Sequence, residues 1–265
     1  MIEELFHLGP ISISPFGPAM VAAFLTAWWQ LRWGLRKYDL LNEETASALL
    51  LAAGVGGIVG AKIYYAILYG DWHSLLDRSG LVFYGGFIGG AIAFIWTARR
   101  RDLPMLRATD IGTPAVAVGY AIGRIGCFLV GDDYGIATQK PWGVAFPYGL
   151  PTPTTAGAMR SLGGGEIDPS LAAHELVKVH PTQLYEVAAG FGVLMICRTL
   201  LKRRLTPGVV TVVGFSLLAI ERFLVEFVRA KDDRFFGSFT LAQLLSVGIL
   251  VVLGFVWLQA RRREA

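Results

Sequence analysis

The stretch IGTPAVAVGYAIGRIGCFLVGDDYG, residues 111–135, is apolar but for one cation, Arg124, until it ends on Asp132 and Asp133. About 20 such residues are enough to cross the hydrocarbon of a bilayer as a helix, and we place a span at 109–131. A cation at that depth costs a few to about 10 kcal/mol or more, so it is rarely left idle. Lys62 and Arg222 fall inside or at the edge of comparable runs. A guanidinium also matches a phosphate in a planar, bidentate way that an ammonium cannot. Inward-facing arginines in a hydrophobic chain therefore suggest handling of an anion such as a lipid headgroup.

Working outward, six more runs read as spans, near 15–33, 47–69, 81–98, 182–201, 207–229 and 240–259. The composition agrees, since only 17% of the 265 residues are charged, against about 25% in soluble domains. The net charge of +4 would suggest nucleic acid in a soluble protein, but here basic residues flank apolar runs, so no nucleic-acid partner is expected. Of 24 basic residues, 14 follow the odd-numbered spans. The positive-inside rule then sets the N-terminus outside and the C-terminus in the cytoplasm. The fold class expected is all-α: a single integral membrane domain, residues 1–265, built as a seven-helix transmembrane bundle. The N-terminal stretch has early acids and no basic region before an apolar run, so it does not read as a cleavable signal peptide.

The segment 132–181 is rich in Pro, Gly and Thr. Loops that long are usually functional or disordered, and its aromatics favour an ordered cap on the outer face. Residues 42–50 read as a polar lead-in to the second span. Gly56 with Gly60, Gly85 with Gly89, and Gly119 with Gly123 are spaced for close helix packing. Cys127 and Cys197 are expected near opposite faces of the membrane, which argues against a disulfide, and Cys127 reads as a small apolar filler. His7, His73 and His174 lack metal-ligand spacing, so no metal site is expected.

Three further blocks carry ionisable groups. HPTQLYE, residues 180–186, sets Pro181 at a helix start, whose positive end is an anion site. Its Glu186 then needs a partner, either Lys62 or an arginine. ERFLVEFVR, residues 221–229, puts Arg222, Glu226 and Arg229 on one helix face. FYGG, residues 83–86, places Tyr84 in the outer half of the third span, where a belt tyrosine is also expected. Arg124 alone is equally compatible with snorkelling to lipid phosphates.

Taken in order, LGPISISPFG, AKIYYAIL, FYGG, GRIGCF, WGVAFP, HPTQLYE and RFLVEFVR resemble the prolipoprotein diacylglyceryl transferase family over nearly the whole chain. The resemblance implies a multi-pass enzyme of the bacterial plasma (inner) membrane. It would move the diacylglyceryl group of phosphatidylglycerol to the lipobox cysteine thiol of a prolipoprotein signal peptide, releasing glycerol 1-phosphate, without metal or organic cofactor. Arg124 and Arg222 match its essential arginines and are expected to hold the phosphate. Tyr84 stands at the position considered for the base. Gly85, Gly86, His180, Glu186, Glu226, Arg229, Asp132 and Lys62 are expected around the substrate.

The chain also departs from the family pattern. Tyr84 replaces the histidine of an HGG motif, and tyrosine, with a pKa near 10, is a poor proton acceptor at neutral pH. Both asparagines of GNFxNGE are lost over residues 126–132 and its acid is shortened to Asp132, while Leu218 stands where a tyrosine is common. Either the base role is dispensable or reassigned, or the activity is altered. An anionic-lipid or metabolite transporter (flippase), or a divergent transferase with another acceptor, are the other readings. The absence of an internal repeat weighs against the transporter.

Overall fold

The computed structural model describes residues 6–8, 11–75, 82–150, 152–230, 234–236 and 239–264. Seven long helices dominate it: α1 (Phe16–Lys37), α2 (Glu43–Tyr69), α3 (Phe83–Arg100), α4 (Met105–Val130), α6 (Thr182–Lys202), α7 (Val209–Val225) and α8 (Leu241–Glu264). Between α4 and α6 lies a short α5 (Ala156–Ser161). Among the described residues the strands form two antiparallel pairs, β1 (Phe6–Leu8) with β2 (Ile11–Ile13) and β3 (Arg234–Phe236) with β4 (Phe239–Thr240).

Each long helix covers most of one expected span. Four of them contain stretches long and apolar enough to cross a membrane: Glu44–Tyr69, Met105–Val130, Thr182–Lys202 and Leu241–Gln259. Their outer faces stay apolar, with Leu51 66% and Val251 66% exposed. Such faces suit lipid rather than water. Arg36 and Lys37 close α1, Arg99 and Arg100 close α3, and Lys202 closes α6, where the negative end of a helix favours cations.

Two boundaries differ from the sequence reading. Residues 43–50, expected as a polar lead-in, are already helical, because the side chain of Asn42 caps α2 by accepting from the Glu44 N–H at 3.2 Å. The sixth expected span runs to 229, but α7 stops at Val225 and tightens into a 3₁₀ turn over Glu226–Val228.

The chain forms two compact units. One comprises Ala27–Ala115 and Leu200–Thr211. Within it α2 and α3 pack backbone to backbone: a Cβ on Gly60 would overlap the carbonyl oxygen of Gly85, and one on Gly89 that of Gly56. The fully buried Asp110 caps the start of α7, accepting from Gly208 N–H at 2.8 Å and Thr211 N–H at 2.9 Å. Arg107 stacks on the Tyr38 ring, 4.4 Å from its centroid, and donates to the Leu205 carbonyl.

The other unit comprises Met1–Thr26, Val116–Thr199 and Val212–Ala265. Residues 132–150 and 152–181 belong to it, and they are arranged around their own small core. Phe146 is fully buried, stacked on Tyr134 at 5.7 Å and edge-on to Phe128 at 5.8 Å, with Val177, Val179 and Met159 around it. Backbone pairing ties Val144 to Val179 and Ala156 to Glu175, so the long connection carries a fixed geometry.

Candidate active site: a ring of arginines and carboxylates

The site is set by how α4 ends. Gly131 takes the left-handed conformation (φ 72°), Asp132 N–H bonds the Cys127 carbonyl at 2.9 Å, and Gly131 N–H bonds that of Phe128 at 3.2 Å. This is the Schellman arrangement, which glycine enters without steric cost. Asp133 is also left-handed (φ 60°), a region aspartate tolerates better than most residues. The reversal points its carboxylate back over the last turns of α4. The start of α6 is stapled to the same turn: Thr182 Oγ1 donates to the Asp133 carbonyl, and Gln183 Nε2 to that of Asp132, both at 2.6 Å. The first helical residue is Thr182, one after the Pro181 expected there, an offset within ordinary end fraying.

These constraints close a ring of alternating charge. Arg124 Nη1 donates to Asp133 Oδ2 at 2.7 Å, and its Nε lies 3.0 Å from Glu186 Oε2. Glu186 Oε1 lies 4.0 Å from Arg222 Nη1, and Arg222 Nη2 is 2.7 Å from Glu226 Oε2. Glu226 Oε2 is 3.8 Å from Arg229 Nη1, and Arg229 Nη2 returns to Asp133 Oδ1. Three guanidinium groups thus face three carboxylates. The side chains of Glu186 and Glu226 are only 1% exposed, whereas Arg222 is 24% and Asp133 34% exposed. The ring is open at Arg222 and Asp133. Nη1 of Arg222 is buried and has no hydrogen-bond partner among the described residues.

Around the ring, burial opposes ionisation of Asp133, but Arg229 and Arg124 outweigh it and hold its carboxyl below the ordinary aspartate range. Asp132 shifts the other way, raised by burial and then by Asp133. Tyr120, a turn below Arg124, places its hydroxyl 2.9 Å from Glu186 Oε1 and 3.3 Å from Glu221 Oε2. Trp142 Nε1 donates to the Tyr185 hydroxyl at 2.8 Å, which leaves that hydroxyl's proton for His180 Nδ1 at 2.9 Å. Burial and then Lys140 push the His180 imidazole below its usual pKa, in keeping with a neutral ring that accepts at Nδ1.

Of the residues expected from sequence, Arg124, Arg222, Glu186, Glu226 and Arg229 meet in this ring. The partner of Glu186 is arginine. The acid that meets Arg124 is Asp133 and not Asp132, whose contribution here is its main-chain carbonyl. Cys127 is more than a filler, since its Sγ accepts from Arg124 Nη1 at 3.7 Å, a weak acceptor at the limit of contact. Neither cysteine is in a disulfide. Tyr84, Gly85, Gly86 and Lys62 belong to the other compact unit, where Gly85 packs against Gly60 and Tyr64 of α2. Tyr120 and Glu221 were missed. Tyr120 carried a signal, lying four residues before Arg124 and so on the same helix face; the adjacency of Glu221 to Arg222 carried none, since neighbours in sequence do not share a helix face.

The fold and ring define a helical membrane protein with an arginine-lined site suited to an anion. The sequence model of the family described as prolipoprotein diacylglyceryl transferase matches residues 3–259. Over 277 aligned residues the chain is 34% identical to the phosphatidylglycerol–prolipoprotein diacylglyceryl transferase of Xylella fastidiosa (strain 9a5c), covering 97% of this chain and 92% of that protein. The protein of the same name from Pseudomonas putida (strain W619) is 30% identical, covering 97% and 93%. That from Wolbachia pipientis (strain wPip) is also 30% identical, covering 94% and 93%. The chain belongs to the prolipoprotein diacylglyceryl transferase family.

Proposed function

We propose that this chain transfers the diacylglyceryl group of phosphatidylglycerol to the lipobox cysteine of a prolipoprotein signal peptide. In this reading it crosses the bacterial plasma membrane seven times, with its N-terminus outside and residues 132–181 on the outer face. The thiol loses its proton and its sulfur attacks the glyceryl carbon, forming the thioether. The C–O bond to phosphate breaks, and glycerol 1-phosphate leaves with the electron pair. Charge therefore builds on the phosphate, where fixed guanidinium groups in a water-poor setting stabilise it more than water does.

The observation that carries the reading is the buried Nη1 of Arg222, which lacks a hydrogen-bond acceptor among the described residues, in the same ring as the partly exposed Asp133–Arg124 pair. A buried donor without an acceptor is costly, and a phosphate oxygen supplies the acceptor. Asp133, the most exposed member, is the carboxylate that yields Arg124 to the headgroup. Glu186, Glu226 and Arg229 hold the arginines in place. Tyr84 stands at the motif's base position, and it and Gly85, Gly86, Lys62, His180 and Asp132 as substrate contacts are supported by motif position alone.

The test is turnover. Purified protein with phosphatidylglycerol and a lipobox peptide should release glycerol phosphate and yield a lipidated peptide, and Arg124→Ala or Arg222→Ala should abolish both. Lipid counter-flow in proteoliposomes without a covalent product would instead favour a carrier.

A further inference from the structure

The ring balances without Glu221. Three arginines face Asp133, Glu186 and Glu226, so an ionised Glu221 beside them would leave the site with net negative charge, unfavourable for an anionic headgroup. Among the described residues, no guanidinium lies within ion-pair distance of Glu221, its Oε1 is buried without a hydrogen-bond partner, and its one side-chain hydrogen bond is with Tyr120 at 3.3 Å. That tyrosine also reaches Glu186 at 2.9 Å. A phenolic hydroxyl has one proton to give and lone pairs to receive. It can bond two carboxyl groups at once only when one of them carries a proton. Glu186 pairs with Arg124 at 3.0 Å and Glu221 has no such cationic partner among the described residues, so the proton belongs on Glu221.

We infer that Glu221 is a protonated positioning residue, which donates a hydrogen bond to Tyr120 so that Tyr120 donates to Glu186 and thereby fixes Arg124. The groups around it are Tyr120 and Arg124 from α4, Glu186 from α6, and Arg222 on its own helix. The neutral acid leaves a carbonyl-like Oε1 unpaired, far less costly than an unpaired carboxylate oxygen. Loss of the proton at high pH frees Tyr120 to swing between two anions and adds a charge that repels the headgroup. The role in turnover rests on the transferase reading; the proton does not.

Infrared spectroscopy of the full chain in detergent at pH 7 tests the proton without turnover. A carboxylic-acid C=O band present in the unmodified chain and absent from Glu221→Gln is expected, and identical spectra in that region would overturn the inference. Diacylglyceryl transfer tests the positioning. Glu221→Gln, which still donates to Tyr120, should keep activity within about threefold of the unmodified chain, because one donor replaces another. The unmodified chain should lose activity on the alkaline side, and Glu221→Gln should lack that decline. Glu221→Ala and Tyr120→Phe should each lose roughly tenfold or more. A Glu221→Gln variant as impaired as Glu221→Ala, or one with an unchanged alkaline limb, overturns it. If the unmodified chain does not turn over at all, the transferase reading falls and the infrared result still decides the proton.

Discussion

Arg222 and Arg124 differ in how much of their hydrogen-bonding capacity the protein already uses. Arg124 is held by Asp133, Glu186 and the Cys127 sulfur, whereas Arg222 keeps one buried nitrogen unmatched. Arg222→Lys should retain a remnant of activity, because a lysine supplies charge without the planar fork. Arg222→Ala should lose ~100-fold or more in kcat, the scale on which one transition-state donor acts, measured by glycerol phosphate release. Asp133 carries a pH signature. Its folded-state pKa is depressed, so the stability it contributes is complete above the ordinary aspartate value of about 3.9 and is lost as pH falls through the lower folded value. Asp133→Asn should flatten that acid limb in thermal unfolding between about pH 2 and 5. The arginines were legible in the sequence, because a cation inside an apolar run is conspicuous. Asp133 was not: only the left-handed turn after Gly131 brings its carboxylate back over Arg124. Nor was Glu221, since a carboxylate beside an arginine in sequence reads as that arginine's neighbour, yet in the helix it faces Tyr120.

Helices α2 and α3 stand on absent side chains. The glycine spacing in the sequence pointed to this packing, and the structure confirms how close the approach is. Gly60→Leu would drive a side chain into the Gly85 carbonyl, while a Cβ on Gly57 would sit 3.5 Å from that of Gly86, an ordinary contact. Gly60→Leu should therefore destabilise the detergent-solubilised protein by about 1–3 kcal/mol or more, and Gly57→Ala should unfold at close to the unmodified temperature. The lead-in to α2 and the end of α7 were harder to read. Apolar periodicity continues unbroken through Val225 into the 3₁₀ turn, and periodicity alone does not register a change from four-residue to three-residue hydrogen bonding. That change matters, because it falls on Glu226 and so helps aim Arg229 at Asp133.

At the scale of the whole molecule, most of the fold was legible because the bilayer imposes long apolar helices, and all seven expected runs are helical. The order within 132–181 was legible only in outline. Its aromatics suggested a cap, but the buried Phe146 with Tyr134 and Phe128 depends on pairings no local pattern encodes. The proposed topology sets this segment outside. A single cysteine at Lys140, in a background lacking Cys127 and Cys197, should react in intact spheroplasts with a membrane-impermeant maleimide, whereas one at Arg203 should react only after lysis. The central claim is that the arginine ring receives the headgroup phosphate. A crystal structure grown with phosphatidylglycerol tests it most directly. The expected result is a phosphate oxygen about 2.7–3.2 Å from Arg222 Nη1, with Asp133 withdrawn from Arg124. A headgroup bound elsewhere, with Arg124, Arg222 and Asp133 in their present pairing, would contradict it.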